Sequence, residues 1–417
     1  MLSLPEVHIL SGAGKPIFST KDDDDCSNVS TAGLIQGISS FADDALRQIT
    51  TPTHVLTFLP CPPLLFFCAT PPSLRGLNVG RLLHLLKHHL LVFLTQNGVS
   101  LMESNPNYDL RNLLYGTHGV LMAVVSAWTS EVWPQLDGIG VRLIPIPPST
   151  TTTRRHIQSC MDVPGLVFGL ISHADGVVAF KQGLPDHPLP IEDVHVLLHI
   201  LQHMPSFRTS ESWTPLCLPT FNRGGFLYGY VLFVSNGMSV LLLSNDQSQS
   251  QFHAFQTQTR RVLEPLLLQT FETSPTEQDT VIPTFVMSAT LPRTTFEPLL
   301  LHYFYQSYQT HEYLSPPFEE STLLDCPAWR LHVLRLYHTL HQHLHTLSQP
   351  PLVLGGPPCS SAPPSASMYF IRSDTMVALG VVKPAVGTLY ICCQPLLTAQ
   401  QATDLADSLW KVLLERE

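Results

Sequence analysis

Residues 105–128 read NPNYDLRNLLYGTHGVLMAVVSAW. Pro106 suits a helix's first turn, where its missing N–H has no partner to lose. The short polar side chains of Asn107 and Asp109 suit the orphan N–H groups found there. Leu110, Leu113, Leu114, Leu121, Val124, Val125 and Trp128 then recur at three- and four-residue intervals, the spacing of an amphipathic helix laid on a core. The stretch predicts a packed helix, and the segments before it decide which fold that helix closes.

Working back from it, residues 77–95 predict a second helix, and residues 45–49, 54–60 and 64–70 predict three strands. Thr-Pro and Cys-Pro-Pro breaks that cannot continue a ladder separate those strands. Ahead of them residues 31–43 predict a helix with Leu34, Ile35, Ile38 and Phe41 on one face and Ser30 as N-cap. VHILSGAGKPIFST, residues 7–20, reads as a hairpin. The acidic run Asp22 to Asp25 sits between the two and reads as a solvated loop. The unit is therefore hairpin, helix, three strands, then helices.

The same order returns twice. After a stretch rich in Pro and Thr at 145–153, residues 165–172 and 176–182 form a second hairpin about Asp175-Gly176, and 191–204 a helix. Strands follow at 213–219, 225–234 and 238–244, the last two joined through Asn236-Gly237. Helix 252–271 closes this unit, with Pro265 expected to interrupt it. The third pass is less regular over 273–327, where 296–305 predicts a helix with Pro298 in its first turn. Helix 328–347, strands 351–354, 368–372, 376–382 and 387–393, and helix 399–415 complete it. GGPPCSSAPPSAS, 355–367, reads as a flexible insertion. The expected domains are 1–144, a linker at 145–164, then 165–275 and 276–417.

Composition narrows the function classes. Of 417 residues, 44% are hydrophobic and 13% charged, and 22 basic against 32 acidic residues give a net charge of -10. With no Lys/Arg run, nucleic-acid binding and strong electrostatic attachment to anionic lipid are both disfavoured. The nine cysteines include no CxxC pair, which points to a reducing compartment. The beginning MLSLPEVHIL has no basic region followed by a long apolar run, and the apolar segment 82–94 is broken by His84, Lys87, His88 and His89. It falls short of the roughly 20 residues that span a bilayer. A soluble protein is expected, with any membrane contact peripheral.

The sequence also lacks the marks of a catalytic or metal centre. His195, His199 and His203 share a helical spacing, as do His341 and His345. No HExxH occurs, though, and no carboxylate or Cys stands at a matching distance, so helix-surface histidine is the better reading. SGAGKPI has Ile9 where a phosphate loop needs its first Gly, and Pro16 where it needs Ser or Thr. No GxSxG is present. No cofactor, no metal and no covalent catalysis are expected.

Several segments carry a family resemblance. NYDLRNLLYGT (107–117) and WTPLCLPTFNRGGFLYGYVLF (213–233) resemble signature segments of the Mon (monensin-sensitivity) family of vacuolar fusion proteins. SGAGKPIF (11–18) and GLIQGISSF (33–41) look like that family's opening hairpin and first helix. FEPLLLHYFYQS, WRLHVLRLYHTLHQHLH and DLADSLWKVLLERE follow its order in the third unit, so the resemblance covers nearly the whole chain.

The resemblance implies an α/β fold of three tandem longin-like domains, each a mainly antiparallel sheet of about five strands flanked by helices. It implies a heterodimer with a Ccz-type longin subunit that acts as a guanine-nucleotide exchange factor. The substrate would be a Rab-seven-type GTPase, with a Rab-five-type GTPase upstream and a third subunit as possible associates. The site of action would be cytoplasmic, peripheral to late endosome and vacuole membranes. In such a pair the first domains would pack side by side, with Leu34, Gln36, Ile38 and Phe41 at the seam. Lys15, Asn107, Asp109 and Arg111 would make polar contacts with the partner or GTPase. Phe41→Asp is expected to weaken assembly or exchange.

Structural readings stand beside these roles: apolar helix positions are more often core, Asp109 caps a helix, and Arg111 solvates a helix surface. The chain departs from the family in its hairpin beginning by Glu6, in Asp22 to Asp25, in His118 where an acid is expected, and in the 355–367 tract. The competing functional class is a longin scaffold or adaptor of the Fuzzy type, of comparable length and layout but without exchange activity.

Overall fold

A computed structural model describes residues 4–21, 25–40, 46–105, 114, 116–144, 150–174, 176–184, 187–208, 211–235, 237–271, 299–318, 326–345, 353–354 and 367–414. The chain divides into two compact units, Met1–Asp137 with Pro327–His338, and Gly138–Cys326 with Thr339–Glu417.

In the first unit, the strands are β1 (Glu6–Ser11), β2 (Pro16–Ser19), β3 (Gln48–Thr50), β4 (Val55–Cys61) and β5 (Leu64–Thr70), with helices α1 (Asp25–Ser40), α2 (Val79–Ser104) and α3 (His118–Ser130). The sheet runs β2-β1-β5-β4-β3, antiparallel throughout. β5 lies at its centre with every residue buried, as its continuous apolar run requires of a strand covered on both faces.

Asn78 holds one end of the helical layer. Its side chain accepts from the Arg81 amide at 3.0 Å and so caps α2, while its own carbonyl accepts from the Trp128 indole at 2.8 Å. Gln135 completes the joint, its Oε1 accepting from the Asn78 amide at 2.8 Å and its Nε2 donating to the Trp128 carbonyl.

The second unit holds two further large sheets and a small two-stranded pair, Leu189–Pro190 with Val353–Leu354. β6 (Val141–Arg142) and α4 (Thr150–Cys160) lead into β7 (Phe168–His173), β8 (Gly176–Gln182), β9 (Leu189–Pro190), α5 (Ile191–His203) and the short α6 (Pro205–Arg208). β10 (Ser212–Leu218), β11 (Asn222–Phe233) and β12 (Met238–Ser244) follow, then α7 (Gln249–Gln258) and α8 (Glu264–Thr270). Their antiparallel sheet is β10-β11-β12-β7-β8.

The third set is β13 (Leu300–Ser307), β14 (Glu312–Leu314), α9 (Pro327–Leu344), β15 (Val353–Leu354), β16 (Met368–Arg372), β17 (Val377–Lys383), β18 (Gly387–Cys393) and α10 (Ala399–Leu414). Its sheet is β16-β17-β18-β13-β14, extended by β6 parallel to β14. Each large sheet thus repeats one topology, in which the hairpin lies beside the last of the three later strands.

A strap, residues 138–144, joins the two large sheets of the second unit. Val141 and Arg142 lie beside Glu312 and Tyr313, and the Leu143 amide donates to the Tyr313 carbonyl at 3.0 Å. The Ile144 amide donates to Val177 of β8 at 2.9 Å. Gly140 permits this approach, because a Cβ there would stand 2.0 Å from the His311 carbonyl oxygen. Arg154 of α4 closes the strap, donating to the Ile144 carbonyl at 3.2 Å with Glu312 3.7 Å away.

Several expectations are corrected. The described part of the helix expected at 296–305 is a strand: from Leu300 the chain forms β13, bonded to β18 on one side and β14 on the other and buried from His302 to Ser307. A strand covered on both faces carries an unbroken apolar and aromatic run, which periodicity cannot separate from a helix. Within the 105–128 stretch helix α3 starts at His118, where Gly116 at φ +86° and the Thr117 amide bonded to the Leu114 carbonyl set its beginning. Its expected opening at 106–113 lies outside the described residues.

The first helix begins at Asp25, not Thr31, so Asp25 belongs to the helix and Ser30 is inside it. α2 runs past 95 to Ser104, with Thr95 at φ 55°, ψ 169° breaking its regularity. Residues 150–160 of the stretch read as linker are helical. The 252–271 helix is interrupted as expected: a π turn at Thr259–Leu263 separates α7 from α8, which carries Pro265 in its first turn. The tract 355–366 lies outside the described residues.

Candidate partner-binding surface

Helix α1 covers one face of the first sheet. Ala32 and Ile35 are buried against Leu10, Phe58, Leu65, Phe67 and Ala69, with Ile38 packed partly on the same cluster. Leu34 points the other way and is 66% exposed. Gly33 and Gly37 flank it, and a Cβ at either would meet nothing within 4 Å. Between them these residues leave a flat outward strip with one apolar side chain on it.

The hairpin β1–β2 borders this strip. The Gln36 side chain donates to the Gly12 carbonyl at 3.2 Å, and its Cγ would lie 3.4 Å from a Cβ at Gly14, whose φ of +76° suits glycine. Gln36 therefore ties the helix to the hairpin turn. Lys15 is exposed beside it, and its backbone exchanges bonds with Ser11. On β2, Phe18 packs against His118 of α3 with ring centroids 5.2 Å apart. At the far end of β1, Glu6 accepts from His8 Nε2 at 3.0 Å and from Lys21 Nζ at 2.7 Å. The His8 bond, with Lys21 assisting against the cost of burial, brings the Glu6 carboxyl down to about 2.

The structure thus brings Lys15, Leu34, Gln36 and Ile38 to one helix and its adjoining turn. Leu34 and Lys15 face outward, Gln36 bonds the hairpin and Ile38 is shared with the core. Phe41, Asn107, Asp109 and Arg111 lie outside the described residues. Gly33 and Gly37 were not singled out from the sequence as outward positions, although their i, i+4 spacing about Leu34 was a usable signal.

The histidines do not all lie on helix surfaces as expected: His195, His199 and His341 are buried. His341 of α9 and His345, which caps that helix, have ring centroids 4.6 Å apart and converge on the buried hydroxyl of Tyr390, while the His199 and His203 rings meet edge to face at 6.0 Å. Among the described residues no group of three or more His, Cys, Asp or Glu side chains is placed to hold a metal ion. No helix among them is long and apolar enough to cross a membrane.

Three consecutive segments match one family: residues 6–124 the first longin domain of FUZ, MON1 and HPS1, residues 164–264 the second, and residues 299–417 the third. Relatives include a vacuolar fusion protein MON1 homolog of Oryza sativa subsp. japonica, 30% identical over 57% of this chain and 41% of that protein. The vacuolar fusion protein MON1 homolog B of Homo sapiens is 30% identical over 62% of this chain and 48% of its own length, and that of Mus musculus 32% over 62% and 47%. The matched region therefore spans about half the length of these curated relatives. With its three sheets of one topology in the order of the three matched domains, the chain belongs to the family of three-longin-domain proteins that includes FUZ, MON1 and HPS1.

Proposed function

We propose that this chain is the Mon-type subunit of a guanine-nucleotide exchange factor in vacuolar trafficking and fusion. It pairs through its first longin domain with a Ccz-type subunit, and the pair accelerates nucleotide release from a Rab-seven-type GTPase on late endosome and vacuole membranes. The carrying observation is the open strip of α1. In the second domain the topologically equivalent helix, α5, is buried at every residue from Asp193 to Leu201. In the first domain Leu34 is left 66% exposed. An apolar residue on a flat, glycine-flanked strip suits a packed partner surface better than water. Relatives named vacuolar fusion proteins support the trafficking role.

Exchange requires no covalent step by this chain. A factor releases nucleotide by binding the empty GTPase better than the loaded one, and equal affinity for both shifts nothing. The strip supplies assembly, while polar neighbours such as Lys15 set register at the rim. The test is release of a fluorescent nucleotide from Rab-seven-type and Rab-five-type GTPases, with this chain alone and copurified with its Ccz-type partner. Selective acceleration by the pair establishes the reading. An intact pair that leaves both rates unchanged replaces it with the scaffold function of a Fuzzy-type protein.

A further inference from the structure

The three sheets end on equivalent strands, β3, β10 and β16, and two of these are closed to further pairing. β3 has only three residues, and β10 carries Pro215 and a register shift between Leu216 and Leu218. Short strands, proline and bulges are the ordinary means by which an edge avoids adding another strand. β16, MYFIR, has none of them: five residues pair with β17 in unbroken register, without proline or lysine.

The register also shows which backbone groups face outward. The Val382 amide donates to the Ser367 carbonyl at 2.8 Å, and the Ser373 amide to the Met376 carbonyl at 3.0 Å. Bonded pairs alternate in an antiparallel ladder, so Ser367, Tyr369, Ile371 and Ser373 turn their backbone groups toward β17. Met368, Phe370 and Arg372 turn theirs away, and among the described residues no strand lies beyond them. Both faces behind this edge are supported. Tyr369 stacks on His343 at 4.2 Å, and Phe370 packs on the core beneath α10.

We propose that β16 is a strand-addition site that takes an extended segment of a partner polypeptide. The ladder left open among the described residues selects a β-strand as occupant, because alternate amides and carbonyls are matched only by another extended backbone. The flanking side chains set its chemistry. Met368 is 47% exposed at one end; at the other Arg372 donates to the Leu397 carbonyl at 2.5 Å beside Leu396, which is 87% exposed. Arg372 meets no carboxylate among the described residues. The incoming strand carries apolar side chains and an acidic residue at the Arg372 end. The same protein already uses this mode, since β6 adds to β14 and β15 adds to β9.

The test is amide exchange of the full chain with and without an acetylated octapeptide of alternating threonine and valine ending in glutamate. The expected result is that the Met368, Phe370 and Arg372 amides slow at least fivefold with the peptide. The same peptide with proline at alternate positions should have no effect. Met368→Pro removes the outward N–H together with the thioether that the Thr403 hydroxyl reaches at 3.7 Å, and should weaken peptide binding at least fivefold, whereas Met368→Leu, which loses the thioether but keeps the N–H, should bind as the parent does. Three outcomes overturn the proposal: amides that stay fast at millimolar peptide, amides already slow in the chain alone, or slowing that follows chain concentration and so marks a second copy. None of them bears on nucleotide exchange.

Discussion

Nδ1 of His341 lies 2.8 Å from the hydroxyl of Tyr390, and Nε2 of His345, the C-cap of α9, reaches the same oxygen at 3.2 Å. The phenol has one proton, so it donates to one imidazole and accepts from the other. Thr388 and Tyr308 extend the network, their hydroxyls bonded to one another and Thr388 Oγ1 3.4 Å from His345 Nε2. Every member is at least partly buried, and polar groups in such places stay favourable only while each keeps a partner.

The first prediction concerns acid. Burial pushes His345 down to about 4 from its ordinary 6.5. Between those values the unfolded chain binds a proton that the folded chain does not, so stability rises with pH. This contribution is complete above about pH 6.5 and is lost as pH falls through about 4, a change on the order of 3 kcal/mol for one such imidazole. Urea denaturation at about pH 7.5 and about pH 5 should show it, and His345→Gln should flatten that limb. An unchanged pH dependence in the variant would assign the acid limb to other groups.

The second prediction tests the strap. A Cβ at position 140 would stand 2.0 Å from backbone oxygen, with no flexible side chain to move aside. Gly140→Ala should therefore lower stability by about 3 kcal/mol, the scale of an overpacked buried site. Denaturation followed at Trp213 and Trp410, both in the second unit, is the measurement. A loss below about 0.5 kcal/mol would show that the strap is not fixed in this register.

How much of this was legible in the sequence varies by element. The first two hairpins, β5 and the order of the three domains are readable, because turn residues and alternating or continuous apolar runs mark them directly. β13 is not, since burial on both faces removes the alternation that distinguishes a strand. β6 has two residues, too few for any period, and its partner Glu312 lies far along the chain. In the candidate surface, adjacent Leu34 and Ile35 were grouped on one helical face. The structure sends one outward and one into the core, because neighbours on a helix differ by about 100° and four apolar positions leave the core direction open.

The third prediction uses backbone strain. Thr95, at φ 55°, ψ 169°, occupies a region almost restricted to glycine. A β-branched residue held there costs about 1–3 kcal/mol. Thr95→Gly relieves that strain but loses more entropy on folding, so the expected net gain is about 1 kcal/mol. Thr95→Ala should give no comparable gain, because alanine keeps the Cβ that conflicts with this conformation. Equal melting temperatures for the glycine variant and the parent would place Thr95 in an ordinary helical conformation.

The fourth prediction separates folding from assembly on α1. Ile35 is 2% exposed against Phe58 and Phe67, whereas Leu34 beside it is 66% exposed. Ile35→Asp puts an unpaired carboxylate in the core and should abolish folding of the first domain. Leu34→Asp should change stability by no more than about 0.5 kcal/mol, as a surface substitution does. If the strip is the seam with a longin partner, Leu34→Asp should also weaken the pair at least about tenfold, or about 1.4 kcal/mol, and slow nucleotide release to match. Melting curves and pair affinity measured on the same preparations distinguish the two effects. A Leu34→Asp chain that folds and pairs like the parent would move the seam away from this face of α1.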